Sequence, residues 1–325
     1  MRTVELSNYT IGEDCFDAIP EVLTLHKAKK IMLIGGERAL AAAAPGIEAT
    51  VAGTDIEVLG RHVYGKNSTR ENIAKIVNSP LAQAADVLFA IGGGKAIDTV
   101  KTANIELNKI VFSVPTICSN CSAGTAIAVV YNADGSLEGY SYPHCPDHIF
   151  INPAIIAAAP AEYFWAGIGD ALSKQPEVEY ATSAGNLEHT AALGLALART
   201  CSEPLFTYGE QGLADVRASA SSEAVRQIAL DIVVNTGYVS NLTNQTDFYY
   251  NSSVAHAFYN ASCSIDRPGS YLHGEVVSFG VLVLLAYIGD EENLARYAAF
   301  NKKLGLPVTL EAVGLGERFI PALFE

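Results

Sequence analysis

Two groups of residues in this 325-residue chain have the types and order that chemistry requires. The first is the run Ile91-Gly92-Gly93-Gly94-Lys95-Ala96-Ile97-Asp98, which follows a β-type stretch and opens a helical one. Residues without a Cβ let backbone approach a diphosphate. The free N–H groups of a first helical turn can then donate to its oxygens, with the helix dipole favouring the negative charge. A tight strand-to-helix turn with no ligand is the plainer reading of the same glycines. The run matches neither G-x-G-x-x-G nor a Walker sequence. The second group is Asp170, His256 and His273. One carboxylate and two imidazoles would hold a divalent cation and leave a coordination position open for water or substrate. Histidines 17 residues apart with a distant aspartate are equally compatible with structural roles.

The elements that must position these groups differ between the two halves. Lys30–Ile34, Asp55–Val63, Asp86–Ile91 and Lys109–Val114 read as strands. They alternate with helical stretches over Arg38–Ala44, Ser68–Val77 and Lys95–Leu107. That alternation predicts a parallel sheet covered on both faces. Ala126–Tyr131 and Ser136–Tyr140 flank Asn132-Ala133-Asp134-Gly135 and predict a hairpin, and His148–Ile151 predicts a last strand. From Ala161 onward the periodicity is helical, with no strand signal. The expected organisation is an α/β dinucleotide-binding domain over residues 1–158 and an all-α, metal-binding domain over 159–325.

Composition narrows the partners. Half the residues are hydrophobic and 17% are charged, which suits packed α/β structure and opposes disorder. A formal net charge of −14, with no basic run, argues against nucleic acid. The start, MRTVELSNYTIGEDC, lacks the pattern of a signal peptide. The longest apolar run, Val276–Ile288, is too short to span a membrane. The six cysteines, Cys15, Cys118, Cys121, Cys145, Cys201 and Cys263, are expected as reduced thiols of a cytoplasmic protein.

The ordered set Gly92-Gly93-Gly94-Lys95-x-x-Asp98, Val114-Pro115-Thr116-Ile117, Ala166-Gly167-Ile168-Gly169-Asp170-Ala171-Leu172, Val254-Ala255-His256-Ala257 and Tyr271-Leu272-His273-Gly274-Glu275 resembles the glycerol dehydrogenase-like branch of the iron- or zinc-activated alcohol dehydrogenases. The similarity covers nearly the whole chain. It implies a dehydroquinate synthase-like fold and hydride transfer between NAD or NADP and a small alcohol, polyol or 2-hydroxy acid, with a metal polarising the substrate oxygen. By position it implies Asp170, His256 and His273 as metal ligands. It also implies Gly93, Gly94, Lys95, Asp98, Thr116, Ser119, Thr125, Ile127 and Tyr131 as cofactor contacts. Homo-oligomers are usual in the family.

Several positions depart from that pattern. Cys121 replaces an aspartate that grips a substrate hydroxyl in glycerol dehydrogenases, so glycerol itself is not the expected substrate. Lys174 stands where the iron-using branch has a further histidine, which favours Zn2+ over Fe2+. As a cation one helical turn beyond Asp170, it also favours an anionic substrate such as a 2-oxo or 2-hydroxy acid, as in the hydroxycarboxylate dehydrogenase subgroup. Pairing of Lys174 with Asp170 or Glu177 is the alternative. Gly36 replaces an acidic residue that would repel a 2′-phosphate, so NADPH is expected to be tolerated, with Arg38 helping and Glu37 opposing. Pro176 falls within the helix expected to carry Asp170. Relatives continue past Glu325, so the helical half is expected to be shorter than theirs. Two other readings remain open: a sugar-phosphate cyclase-like lyase of the same fold, and a non-catalytic relative.

Overall fold

The computed structural model describes residues 3–316 and 319–320; the expectation about the chain's end falls mostly outside them. The chain forms two compact units, Met1–Ala159 and Pro160–Glu325.

The first unit is built on a six-stranded parallel sheet. Its strands are β1 (Asn8–Ile11), β2 (Lys30–Gly35), β3 (Glu57–Val63), β4 (Val87–Gly92), β5 (Ile110–Pro115) and β8 (His148–Ile151), in the order β1-β8-β5-β4-β2-β3. Between β5 and β8 lies the antiparallel hairpin β6 (Ala128–Tyr131) and β7 (Leu137–Ser141). The helices are α1 (Ile19–Leu25), α2 (Glu37–Val51), α3 (Arg70–Val77), α4 (Pro80–Ala84), α5 (Gly94–Leu107) and α6 (Pro153–Ala157). Every residue of β4 is buried, as a central parallel strand covered on both faces requires. Its Phe89 packs with Phe112 of the adjacent β5 and with Phe150 of β8, one strand further, in the core.

Two details go beyond the sequence reading. Strand β1 has no hydrophobic alternation, being half exposed, yet it pairs in parallel with β8 from Asn8–His148 to Ile11–Ile151. Helix α2 runs through Pro45 to Val51 rather than stopping at Ala44. An interior proline costs about 3 kcal/mol. Burying Ile47 and Val51 beyond it returns roughly 1.5–3 kcal/mol each.

The second unit is helical: α7 (Ala161–Ala171), α8 (Lys174–Ala181), α9 (His189–Ala198), α10 (Ser202–Arg217), α11 (Glu223–Leu230), α12 (Thr236–Thr243), α13 (Val254–Cys263), α14 (His273–Ile288) and α15 (Glu291–Leu304). A π-helical turn, Asp231–Asn235, joins α11 to α12. The one departure from all-helical structure among the described residues is a two-residue ladder, β9 (Asn244–Gln245) with β10 (Phe248–Tyr249). The continuous helix expected around Pro176 is two helices. Helix α7 ends at Ala171 and α8 begins at Lys174, which places Pro176 in the first turn of α8. There its missing N–H costs no hydrogen bond that a longer helix would have made. No helix among the described residues is long and apolar enough to cross a membrane.

Candidate metal centre and dinucleotide turn

In the second unit, three glycines decide where the ligand-type residues meet. A Cβ on Gly274 would collide with the Ala166 carbonyl oxygen, and one on Gly169 with the Gly274 carbonyl oxygen. Helices α7 and α14 therefore cross backbone against backbone. Asp170, next to Gly169, is brought to His273, the first residue of α14. On the other side of α14, a Cβ on Gly280 would lie 2.5 Å from the Ala255 carbonyl oxygen, so α13 is equally close and carries His256 inward.

The result is a compact donor set. Asp170 Oδ1 lies 3.0 Å from His273 Nε2 and 3.6 Å from His256 Nε2, and all three donors lie within 4.8 Å of one another. Asp170 Oδ1 is nevertheless buried without a hydrogen bond of sound geometry. Donor atoms that converge on a common point with no aligned N–H between them fit a cation placed among them. Bonds of about 2.1 Å at a tetrahedral angle put donors about 3.4 Å apart, close to the two short separations here. Side-chain exposure rises from 13% at Asp170 through 23% at His256 to 37% at His273, so the set opens on the His273 side. The edge of that ring's neighbour Tyr259 packs at 4.2 Å between ring centres.

Electrostatics agree with the geometry. Burial raises the Asp170 carboxyl, but His273 and His256 outweigh it and hold the group below its ordinary range. Burial lowers His256, yet Glu177 and Asp170 raise its pKa to about 10 in the absence of a cation. Glu177 itself is fully buried against His256 and was named in the sequence reading only as a possible partner of Lys174. It pairs with His256 instead. Lys174 is buried too, but its Nζ donates to Asn251 Oδ1 at 2.8 Å and to the Asn251 carbonyl at 3.4 Å. No carboxylate lies within 4.0 Å of Lys174 among the described residues, so neither Asp170 nor Glu177 is its ion-pair partner.

In the first unit, Gly35 and Gly92 end the adjacent strands β2 and β4, at the point where strand order reverses direction across the sheet. Open parallel sheets bind ligands at such a point. Gly93 is the N-cap of α5 and Gly94 its first residue; no side chain caps this helix. Gly36 holds the same position before α2. A Cβ on Gly93 would strike the Ile117 side chain, and one on Gly94 would come within 2.8 Å of Asn120 Nδ2, so the 116–120 segment lies directly on the turn. That segment includes buried Thr116 and half-buried Ser119. Half-buried Cys121 follows, and Cys118 is buried; neither forms a disulfide. Lys95 Nζ stands 5.1 Å above the Tyr131 ring.

Asp98 behaves differently from its neighbours. Its buried carboxylate accepts from Ser122 Oγ at 2.6 Å and from the Val129 amide at 3.0 Å, and lies 3.0 Å from Lys101 Nζ. It braces the loop and hairpin internally. Lys101, which sequence reasoning passed over, is completely buried. Its ammonium donates to the carbonyls of Ser122 (2.8 Å), Thr125 (3.1 Å) and Ile127 (2.7 Å), and to Thr125 Oγ1 (3.3 Å). The available signal was Asp98-x-x-Lys101 on one helical face. Thr125 and Ile127 therefore owe their placement to a lysine two dozen residues earlier.

Comparison with known proteins agrees with this construction. Residues 7–153 match the family model described as iron-containing alcohol dehydrogenase. The chain is 31% identical over 266 residues to glycerol dehydrogenase of Thermotoga maritima, spanning 79% of this chain and 70% of that protein. It is 27% identical to hydroxycarboxylate dehydrogenase A of Escherichia coli, spanning 94% and 83%. The crystal structure of a probable glycerol dehydrogenase from Sinorhizobium meliloti superposes with a TM-score of 0.83 at 26% identity, covering 99% of this chain and 88% of that one. The chain belongs to the iron-containing alcohol dehydrogenase family, on its glycerol dehydrogenase-like branch.

Proposed function

We propose that Asp170, His256 and His273 hold a divalent cation. The chain uses it as an NAD(P)-dependent oxidoreductase of a small alcohol, polyol or 2-hydroxy acid. The observation that carries this reading is the convergence of the three donors around a buried Asp170 oxygen that has no hydrogen bond. When bound, the cation supplies a Lewis acid for the substrate oxygen, and the nicotinamide supplies the site that gains or loses the hydride. The chain's own residues do the positioning. Asp170 contributes the negative charge, His256 presents Nε2 to the centre, and His273 stands at the more open side. The uncapped first turn of α5 at Gly93 and Gly94 offers amides to the diphosphate. Thr116, Ser119, Thr125, Ile127 and Tyr131 belong to the loop and hairpin next to it, with Lys95 beside Tyr131.

Zinc is favoured over iron, because the position that would bear a fourth protein ligand is Lys174, already engaged with Asn251. The substrate is favoured to be anionic. A buried ammonium without a carboxylate partner is costly, and a substrate carboxylate would compensate it. Cys121, in place of an acidic acceptor, removes a group suited to glycerol. Gly36 leaves no carboxylate to exclude the 2′-phosphate of NADP.

The test is metal analysis of the zinc- and iron-loaded protein, combined with turnover on a panel of alcohols, polyols and 2-oxo acids. One tightly held metal ion per chain, lost in Asp170→Asn together with turnover, is the expected result. Unchanged metal content in that variant would overturn the assignment.

A further inference from the structure

Glu177 is a charged side chain with no exposure to solvent, and a buried carboxylate must be fully paired to be tolerated. Its partners all lie in one short segment. Oε1 accepts from the amides of Ser253 at 2.7 Å and His256 at 3.0 Å, and Oε2 accepts from His256 Nδ1 at 2.6 Å. A carboxylate offers only acceptors, so the last contact requires the proton on Nδ1. In the neutral ring this leaves Nε2, facing Asp170 Oδ1 at 3.6 Å, as a bare lone pair. The same group thus fixes both the tautomer of the imidazole and the helical turn that carries it.

We propose that Glu177 is a positioning residue that sets the affinity of the Asp170, His256 and His273 centre for its cation; this rests on the metal reading above. The chemistry of the side chain makes the idea sharp. The segment needs two acceptors, one for the pair of amides and one for Nδ1–H. Glutamine supplies one acceptor and one donor. Turned one way, it leaves the amides facing an NH2 group. Turned the other way, it donates to Nδ1 and forces the proton onto Nε2, where a cation should bind. Aspartate retains both acceptors at a shorter reach.

Asn251 provides a control for mere loosening of this segment. Lys174 grips it two residues before Ser253, and that contact does not involve the His256 ring.

The experiment titrates Zn2+ alone against a chromophoric chelator in wild type, Asp170→Asn, Glu177→Gln, Glu177→Asp and Asn251→Ala, with far-UV circular dichroism on each. The expected result is a drop of about 10–100-fold in affinity for Glu177→Gln, partial recovery in Glu177→Asp, and a change below about 3-fold in Asn251→Ala. Ring-nitrogen chemical shifts in the zinc-loaded wild type should show His256 protonated on Nδ1. Equal losses in Glu177→Gln and Asn251→Ala, or wild-type affinity in a folded Glu177→Gln, overturn the proposal while leaving the metal centre standing. If Glu177→Gln does not fold, Glu177→Asp decides: reduced affinity with a native spectrum supports the role, and unchanged affinity overturns it. A wild type that takes up no zinc, or that binds it as well with Asn at 170, removes the metal reading and this proposal with it.

Discussion

Gly274 sits so tightly against Ala166 that a single methyl group would strike the Ala166 carbonyl oxygen. The contact is between backbones of different helices, so neither side can turn aside as a flexible side chain would. Gly274→Ala is therefore expected to destabilise the protein by at least about 2 kcal/mol, as overpacking in a close-packed crossing does. It should also separate Asp170 from His273 and remove the metal. Chemical denaturation and metal analysis check both effects. A stable variant with full metal content would show that the crossing does not position the ligands.

Lys101→Met keeps the length of the side chain but removes the ammonium that gathers the carbonyls of Ser122, Thr125 and Ile127 beside Asp98. Breaking one side of a buried pair costs roughly 3–5 kcal/mol. Dinucleotide affinity, followed by nicotinamide fluorescence, is expected to fall. Zinc affinity should be preserved, because Asp170, His256 and His273, the proposed ligands, belong to the other compact unit. Tight dinucleotide binding in the variant would separate this brace from the cofactor site.

His148 links stability to pH. It is buried between strands, with Thr10 Oγ1 2.9 Å from its Nε2. Burial, aided by nearby His26, lowers its pKa from 6.5 to about 4. The folded state thus prefers the neutral ring. Its contribution is fully present above pH 6.5 and is lost as pH falls through about 4, by roughly 3 kcal/mol in total. His148→Gln is expected to flatten the stability profile over that window. An unchanged acid slope would show that other groups govern it.

Lys174→Ala should raise KM for 2-oxo acids about tenfold or more, as loss of a charge-assisted contact of 1.5–3 kcal/mol does, with little effect on neutral carbonyls. Steady-state kinetics on matched substrates with and without the carboxylate provide the comparison. Equal effects on both classes would remove the anionic-substrate reading.

Gly36→Asp is expected to discriminate between dinucleotides by placing a carboxylate at the start of α2, beside exposed Arg38. NADPH affinity should fall by about tenfold or more while NADH affinity holds, since only the 2′-phosphate meets a like charge. Equal titration curves for the two cofactors in wild type and variant would place the adenosine ribose elsewhere.

What the sequence by itself determined is local. An unbroken apolar run followed by glycines specified β4 and the turn into α5. Asn132 to Gly135 specified the hairpin turn. Alternation followed by continuous helical periodicity specified a parallel α/β unit and then a helical one. These follow from side-chain period and backbone freedom, which neighbouring residues control. Asp170, His256 and His273 were legible through the motifs around them, since their own types and spacing suit many roles.

Tertiary structure decided the rest, because pairing energy depends on partners far apart in sequence. Strand β1 exists through its register with β8, not through any pattern of its own. Pro176 is accommodated by a break between α7 and α8. Lys174 finds Asn251, and Glu177 finds His256, across 77 and 79 residues respectively. Asp98 and Lys101 turn inward to hold a loop more than 20 residues away. A buried charge must be satisfied by whichever groups the packed helices bring to it, and only the folded chain names them.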